Sequence, residues 1–321
     1  MLGVALSFVL FIVAIAFIIW GGRFLVNAAI NINKITGISK VIIGATFIAV
    51  ATTAPEIFIS ILAVVGDNHG LAIGSAVGSM IVNIALILAL YITFLPTAVD
   101  KRDILKKSAF LIFVILFVFV LSWDLRITSV EGVLLVGLFI VFIWWFGRGS
   151  SGKKSRHVTP DISYDEIKRI RRNIILEFMA GQAFILAGAF LLVQNGERIA
   201  HIIGASETVV GLTLIAIGTS APELATVITS IRRKSGDLAI GSILGSNIVN
   251  STLLLGIVGM VSGTLPLSAQ TLYISLPILL VVSLIAVLPM VLRGKTYRWQ
   301  GIVLVAIYTI YILYLVIVQP I

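Results

Sequence analysis

Long apolar runs fill most of this chain and restrict what it can fold into. A helix needs about 20 apolar residues to cross a membrane, and about ten runs of that length can be drawn. Of the 321 residues, 59% are hydrophobic and 12% are charged, with a mean hydropathy of +1.14. This composition predicts an integral, all-α membrane protein. The predicted spans are residues 3–22, 39–64, 71–95, 107–123, 129–147, 172–194, 206–231, 238–262, 272–292 and 299–319.

The basic residues fall almost entirely on one side of these spans. If the ten spans alternate in direction, 21 of the 23 Lys and Arg residues share a face, and only Arg126 and Arg198 lie opposite. The positive-inside rule assigns the basic face to the cytoplasm. We therefore expect a cell membrane protein with cytoplasmic basic loops and both termini outside. The net charge of +9 reflects this orientation, and no nucleic-acid partner is expected beside the lipid bilayer.

Two segments of the sequence are copies of each other. Residues 37–90 align without a gap on residues 204–257, at the offset of 167 that separates Glu56 from Glu223. With five spans in each half, the copies enter the membrane from opposite sides. The predicted fold is therefore ten transmembrane helices in two inverted-topology five-helix repeats, an architecture typical of secondary transporters. We assign residues 1–147 to the first repeat (motif 44–83), 148–171 to a cytoplasmic linker and 172–321 to the second repeat (motif 211–250).

Each copy places one glutamate deep inside an apolar run, directly after a proline. Glu56 follows Pro55 in ATTAPEIFIS, and Glu223 follows Pro222 in GTSAPELATV. An ionised carboxylate at this depth is costly without a cation, so a functional ion site is the default interpretation. A proline within a membrane helix also removes a backbone hydrogen bond and frees carbonyl oxygens about one turn earlier. These carbonyls are further candidate ligands.

Serine and asparagine add oxygen donors in the next span of each copy. Ser79 and Asn83 share one helical face, as do Ser246 and Asn250. Hard oxygen ligands of these kinds suit Ca²⁺ and offer nothing soft for copper or zinc. Two carboxylates neutralise one divalent ion and would repel each other once it leaves, so monovalent cations or protons must replace it. For the serines and asparagines, hydrogen bonding between helices without any ion remains an alternative.

Other functional classes fit the sequence less well. A channel would need a continuous ring of ligands, whereas a two-fold repeat with proline-interrupted helices favours alternating access. An enzyme is not expected, because the chain has no cysteine and its three histidines fall in predicted loops. There is no Walker pattern, so we expect an ion gradient and not ATP to supply the energy. No cofactor is expected, and the working expectation is a monomer.

The sequences ATTAPEI and GTSAPEL, each followed at a fixed distance by GSxxxN, resemble the two alpha-repeats of the calcium/cation antiporter superfamily. Without a large cytoplasmic domain, the chain is similar to the prokaryotic sodium/calcium exchangers. The resemblance implies electrogenic exchange of Ca²⁺ for about three Na⁺ by alternating access. It also implies that the first and sixth spans slide across a core made by the others. Exchange of Ca²⁺ for protons remains the alternative within the same superfamily.

The resemblance also implies ligands. The motif glutamates, here Glu56 and Glu223, bind Ca²⁺ together with the backbone carbonyls of the motif threonines, here Thr52 and Thr219. Sodium sites flank the calcium site. The implied sodium ligands are the carbonyls of Ala49 and Ala216 and oxygens of Thr52, Thr53, Glu56, Ser79, Thr219, Ser220, Glu223 and Ser246.

Two features depart from the usual motifs of the superfamily. The first motif has Ala51 and Thr53 where glycine and serine are usual, and the extra methyl groups would crowd one sodium site. At the central level the family often has one aspartate, whereas this chain has Asn83 and Asn250. The missing aspartate argues against potassium cotransport.

Overall fold

The described part of the chain is almost entirely helical in the computed structural model. It comprises residues 2–38, 40–149, 164–203, 216–233 and 236–318. The helices are α1 (Leu2–Thr36), α2 (residues 40–65), α3 (His69–Phe94), α4 (Lys101–Leu121), α5 (Ser129–Gly149), α6 (Tyr164–Ile203), α7 (Ala216–Thr219 and Ala221–Arg232), α8 (Gly236–Ser262), α9 (Thr271–Arg293) and α10 (Arg298–Val318).

Nine helices of the described residues are long and apolar enough to cross a membrane. They correspond to nine of the ten predicted spans. The seventh predicted span, 206–231, is described only from Ala216 onward, where α7 follows it. The all-α membrane fold inferred from the apolar runs is thereby confirmed.

Helices α1 and α6 extend well beyond the spans predicted for them. They contain 35 and 40 residues, whereas the apolar runs were placed at 3–22 and 172–194. A helix of 35 residues is about 52 Å long, against a hydrocarbon core of about 30 Å. The apolar run marks only the part of a helix that suits lipid, and both helices continue as polar helix on the basic side. There Asn31, in the extension of α1, donates to Glu177 of α6 across 3.0 Å.

Small residues let α1 and α6 pack closely along their lengths. A Cβ atom added to Gly21 would lie 2.7 Å from the Gly181 carbonyl oxygen, and one added to Gly188 would lie 2.8 Å from that of Ala14. Backbones at this distance are typical of membrane helix pairs built on glycine. The two helices therefore form a closely packed pair.

This pair stands apart from the main apolar core. That core takes its buried side chains from α2 to α5 and α7 to α10, and its described members include none from α1 or α6. The pair packs crosswise on the two repeats. Gly22 of α1 lies against Ala225 of α7, and Phe178 of α6 packs on Phe47 of α2, with ring centroids 5.2 Å apart. Each helix of the pair thus contacts the motif helix of the other repeat.

Loops from the two repeats meet at both ends of the bundle. The short strands β1 (Arg126–Thr128) and β2 (Thr264–Pro266) pair antiparallel between the α4–α5 and α8–α9 loops. At the other end, Val99 donates its N–H to Gly294 O across 2.9 Å, joining the α3–α4 and α9–α10 loops. Both pairings agree with ten helices that alternate in direction.

Candidate functional site

The first motif lies on α2, which stays helical through Pro55. Proline has no N–H, so it cannot donate to the carbonyl of Ala51 one turn earlier. The side chain of Gln182, on α6, donates to this carbonyl oxygen across 2.8 Å. A residue of the second repeat therefore satisfies a carbonyl that the proline of the first repeat leaves without its helical partner.

The second motif lies on α7, which is interrupted at Ser220. This residue lies between two helical segments, with φ −79° and ψ 2°. Its N–H donates to Ala216 O across 3.0 Å, and Leu224 donates to its carbonyl across 3.1 Å. The two copies of the motif therefore differ, since one helix is continuous and the other contains a turn just before Pro222.

Hydroxyl groups of the two repeats meet in two equivalent pairs. The Oγ1 atom of Thr52 lies 3.3 Å from Ser246 Oγ, and that of Thr219 lies 3.0 Å from Ser79 Oγ. Each threonine hydroxyl also lies 3.3 Å from the carbonyl oxygen three residues earlier, that of Ala49 or Ala216. Both pairs join a motif helix of one repeat to the following helix of the other. The site is therefore made jointly by both repeats.

The two carboxylates lie in this site and are fully buried. Glu223 accepts a hydrogen bond from Ser246 Oγ across 3.1 Å, whereas its second oxygen and both oxygens of Glu56 have no partner among the described residues. The ion pairs Lys34–Glu166, His69–Asp67 and Arg126–Asp124 lie elsewhere, at exposed or partly exposed side chains. Ionised together, the two carboxylates would repel each other. A buried acidic pair of this kind needs bound cations or protons.

The other sequence-predicted residues lie on the same four helices. Among the described residues, the side-chain oxygens of Thr53 and Ser220 and both amide atoms of Asn250 have no hydrogen-bond partner. The Oδ1 atom of Asn83 also lacks one, although its Nδ2 atom is bonded. Polar atoms buried without partners suit oxygen coordination of a cation. All twelve predicted residues are buried: Ala49, Thr52, Thr53, Glu56, Ser79, Asn83, Ala216, Thr219, Ser220, Glu223, Ser246 and Asn250.

Local π-helical turns accompany the site. In α3 and α8 they start at the equivalent asparagines, over Asn83–Leu88 and Asn250–Leu254, and a third covers Gly44–Ile48 in α2. A fourth in the described chain, Thr271–Ser275, lies in α9. Turns of this type interrupt the regular backbone ladder and are frequent at functional sites. Nothing in the sequence pattern predicted them.

Several buried or partly buried polar residues near the site were not singled out from the sequence. Gln182 is one, and its signal is a single amide within an apolar run. Asn247 is another, and its signal is that GSNIVN has an extra amide where GSMIVN has Met80. Further buried hydroxyls without a partner in the described part of the chain belong to Ser60, Ser75, Thr226 and Ser230.

We expect Gln182→Leu to lower the free energy of unfolding by about 1–3 kcal/mol, because the Ala51 carbonyl would be buried without a donor. The matched control is Gln194→Leu, on an exposed position of the same helix, where the change should stay within about 0.5 kcal/mol. Thermal unfolding of both variants in detergent measures the difference. Equal stability of the two variants would show that the Gln182 hydrogen bond contributes nothing.

Comparison with known proteins bears directly on this geometry. The family model described as sodium/calcium exchanger protein matches residues 6–148 and 174–317, which is most of the chain in two segments. The chain belongs to this family. The two matched segments correspond to the two halves predicted from the internal repeat. Members of the family are membrane transporters and not enzymes, which confirms the class inferred from the sequence.

Similar proteins cover four fifths or more of the chain. The sodium/calcium exchanger MaX1 of Methanosarcina acetivorans is 26% identical over 97% of this chain and 99% of its own. The inner membrane protein YrbG of Escherichia coli is 30% identical over 80% of each chain. A solved structure of the sodium-calcium exchanger NCX_Mj, soaked with sodium, superimposes with a TM-score of 0.82 at 29% identity, covering 97% of this chain and 99% of that one.

Proposed function

We propose that this protein is an antiporter that exchanges Ca²⁺ for Na⁺ across the cell membrane by alternating access. The observation that carries the proposal is the pair Glu56 and Glu223, buried between hydroxyl groups of both repeats with no basic partner among the described residues. Two carboxylates balance the charge of one Ca²⁺ ion. Relatives of similar length named as sodium/calcium exchangers support the choice of ions.

The proposed Ca²⁺ site lies between the two glutamates. Its remaining ligands are the backbone carbonyls of Thr52 and Thr219, at equivalent positions of α2 and α7. The threonine hydroxyls hold these two helices against Ser246 and Ser79 of the opposite repeat. Ca²⁺ accepts six to eight oxygens in a flexible shell, and such a shell fits this donor set.

The proposed Na⁺ sites flank the Ca²⁺ site and share its glutamates. Sodium is small and singly charged, so hydroxyl and carbonyl oxygens suffice beside a shared carboxylate. The unpartnered hydroxyls of Thr53 and Ser220 support this assignment. The carbonyl oxygens of Ala49 and Ala216 support it too, because each lies 3.3 Å from the motif threonine hydroxyl of its own repeat. The proposed Na⁺ ligands are Ala49, Thr52, Thr53, Glu56, Ser79, Ala216, Thr219, Ser220, Glu223 and Ser246, with Asn83 and Asn250 at the central level.

The proposed moving part is the pair of α1 and α6. These helices contribute nothing to the described main core and pack closely on each other, so they can shift together without opening that core. The pair covers both motif helices, through Gly22 on α7 and Phe178 on α2. Sliding of the pair would expose the carboxylates first to one side of the membrane and then to the other.

The proposed orientation places the termini outside and the basic loops in the cytoplasm. It rests on the one-sided distribution of Lys and Arg and on loops that pair at opposite ends of the bundle. Since both repeats of a single chain supply the candidate ligands, we propose that one monomer is the transport unit.

Uptake of ⁴⁵Ca²⁺ into proteoliposomes loaded with Na⁺ tests the proposal. We expect uptake that requires internal Na⁺ and that is absent from matched vesicles carrying only a proton gradient. With three Na⁺ leaving for each Ca²⁺ entering, one positive charge leaves per cycle, so an inside-positive potential should favour uptake. A potential of 100 mV adds about 2.3 kcal/mol, or roughly 50-fold in the Ca²⁺ ratio at equilibrium.

Two results of this experiment would contradict the proposal. Uptake driven by the proton gradient alone would assign the protein to proton/calcium exchange. Sodium-dependent uptake that does not respond to a potassium diffusion potential set with valinomycin would exclude three-to-one coupling.

A further inference from the structure

A chain of amide hydrogen bonds connects the two repeats beside the hydroxyl pairs. The Nδ2 atom of Asn247, on α8, donates to the backbone carbonyl of Met80, on α3, across 2.8 Å. The Oδ1 atom of Asn247 accepts from Asn83 Nδ2 across 3.1 Å. Both asparagines are fully buried. The offset of 167 aligns Asn247 with Met80, so the first repeat has no amide at the equivalent position.

These two bonds fix the orientation of both amides. A backbone carbonyl can only accept a hydrogen bond, so Asn247 must turn its NH₂ group toward Met80. The Asn247 oxygen therefore faces Asn83, and Asn83 must donate to it from its own NH₂ group. The remaining atom, Asn83 Oδ1, is thereby turned away from Asn247. It is buried and has no hydrogen-bond partner among the described residues.

The fixed oxygen lies next to the carboxylate site. Asn83 is one turn from Ser79 on the same face of α3, and Ser79 contacts Thr219 of the second motif. The neighbour of Asn247 in sequence, Ser246, donates to Glu223. The amide chain therefore borders the hydroxyl pairs on both helices. An amide oxygen held there without a donor is a suitable ligand for a hard cation.

The second repeat lacks the equivalent pair of amide hydrogen bonds. Asn250 is the counterpart of Asn83, and neither atom of its amide has a partner in the described chain. The residue that would hold it by symmetry is Met80, whose thioether cannot fix an amide. The central level thus combines one amide of fixed orientation with one that can turn.

We propose that Asn247 is a positioning residue, which holds the Asn83 carbonyl oxygen toward the transported cation without itself binding the ion. The inference rests on the proposed function, since it concerns the same site. Partners of this kind, which orient a metal ligand, typically change metal affinity by about 10- to 100-fold when they are lost. A residue that only joined two helices would affect the amount of folded carrier and not its affinity for Ca²⁺.

The test is a double-mutant cycle on Ca²⁺ transport with Asn247→Met, Asn83→Ala and the combined variant. Asn247→Met installs the residue that the first repeat has at the equivalent position. We expect it to raise the KM for Ca²⁺ about tenfold while the maximal rate per folded protein changes less than about threefold. In the Asn83→Ala background the same substitution should change KM less than about twofold, because the oxygen that it orients is gone.

The matched control is Ser251→Ala, on α8 one turn after Asn247. Its hydroxyl lies 2.6 Å from the Asn247 backbone oxygen and 2.9 Å from Met80 Sδ, so this variant loses a contact between the same two helices without touching either amide group, and KM should stay within about twofold. If Asn247→Met is not recovered as folded protein, Asn247→Ala removes the same two bonds without added bulk.

The outcomes separate this inference from the proposed function. Absence of Na⁺-driven Ca²⁺ uptake by the unmodified protein would overturn the proposed function itself. With that uptake present, an unchanged KM for Ca²⁺ in Asn247→Met, or an equal rise in KM with and without Asn83, would overturn the positioning role. A rise that vanishes in the Asn83→Ala background supports it.

Discussion

Replacing either buried carboxylate, as Glu56→Gln or Glu223→Gln, is expected to weaken Ca²⁺ binding about a thousandfold and to stop Ca²⁺ transport. Each substitution keeps the side-chain shape and removes one negative charge from a site that must balance two positive ones. Two unit charges about 4 Å apart interact by about 4 kcal/mol at an effective dielectric constant of about 20, and the interaction with a divalent ion is twice that. Because the glutamine amide oxygen still binds the ion, we expect a net loss of about 4 kcal/mol, which is roughly three orders of magnitude in affinity. Neither carboxylate has a basic partner in the described chain, so no buried positive charge is left behind.

The measurement is ⁴⁵Ca²⁺ uptake by each variant, beside thermal unfolding of the same preparations. The matched control is Glu131→Gln, the same substitution at the start of α5, where the carboxylate accepts from Thr128 N across 2.7 Å. The control should change stability by less than about 1 kcal/mol, because glutamine can make the same capping hydrogen bond, and should keep its KM for Ca²⁺. Normal uptake by either site variant would refute the assignment of these glutamates. Each substitution removes one of two charges that repel each other when no cation is bound. We therefore expect both site variants to remain folded.

Adding one methyl group at Gly245 is expected to destabilise the protein, although alanine favours helices. A Cβ atom there would lie 2.5 Å from Ala45 Cα, and this backbone cannot move aside as a side chain could. Overpacking of this kind costs about 1–3 kcal/mol. The next residue, Ser246, contacts Thr52 across the same helix pair. Gly245→Ala should therefore lower both the unfolding temperature and the rate of Ca²⁺ transport.

The control for this substitution is Gly137→Ala, in the middle of α5. A Cβ atom at Gly137 meets nothing within 4 Å, so only helix propensity changes, and stability should rise by up to about 1 kcal/mol. Thermal unfolding in detergent compares the two variants, which are expected to shift in opposite directions. A shift of the same sign in both would show that the α2–α8 contact does not limit stability.

Much of the fold could be predicted because a membrane helix is indicated by a continuous run of apolar residues. Apolar runs located the spans, and the constant offset between copies indicated two repeats. The same reasoning placed the end of α1 too early, at residue 22, and the start of α6 too late, at residue 172. Hydropathy reports which part of a helix suits lipid and not where the helix begins or ends. Beyond the apolar run of α1, Asn31 makes a hydrogen bond to Glu177 of α6, a contact that hydropathy does not report.

The candidate site was predicted in its composition but not in its connections. The glutamates, hydroxyls and amides follow from residue type and depth. That Thr52 meets Ser246 and not Ser79 is a contact between repeats, and either pairing fits the sequence equally well. The donor to the Ala51 carbonyl, which Pro55 leaves without its helical partner, is also a distant residue, Gln182. Local patterns cannot specify interactions between segments more than 100 residues apart.

The crosswise packing of α1 and α6 limits how this molecule can be divided. Helix α1 begins the first repeat but lies on the motif helix of the second, while α6 begins the second and lies on that of the first. The repeats are therefore interlocked, because each motif helix takes part of its cover from the other repeat, in addition to contacts such as that of Leu192 with Gly218 inside one repeat. A single copy of this unit would therefore leave its motif helix without part of its packing, unless a second copy inserted in the opposite direction supplied it.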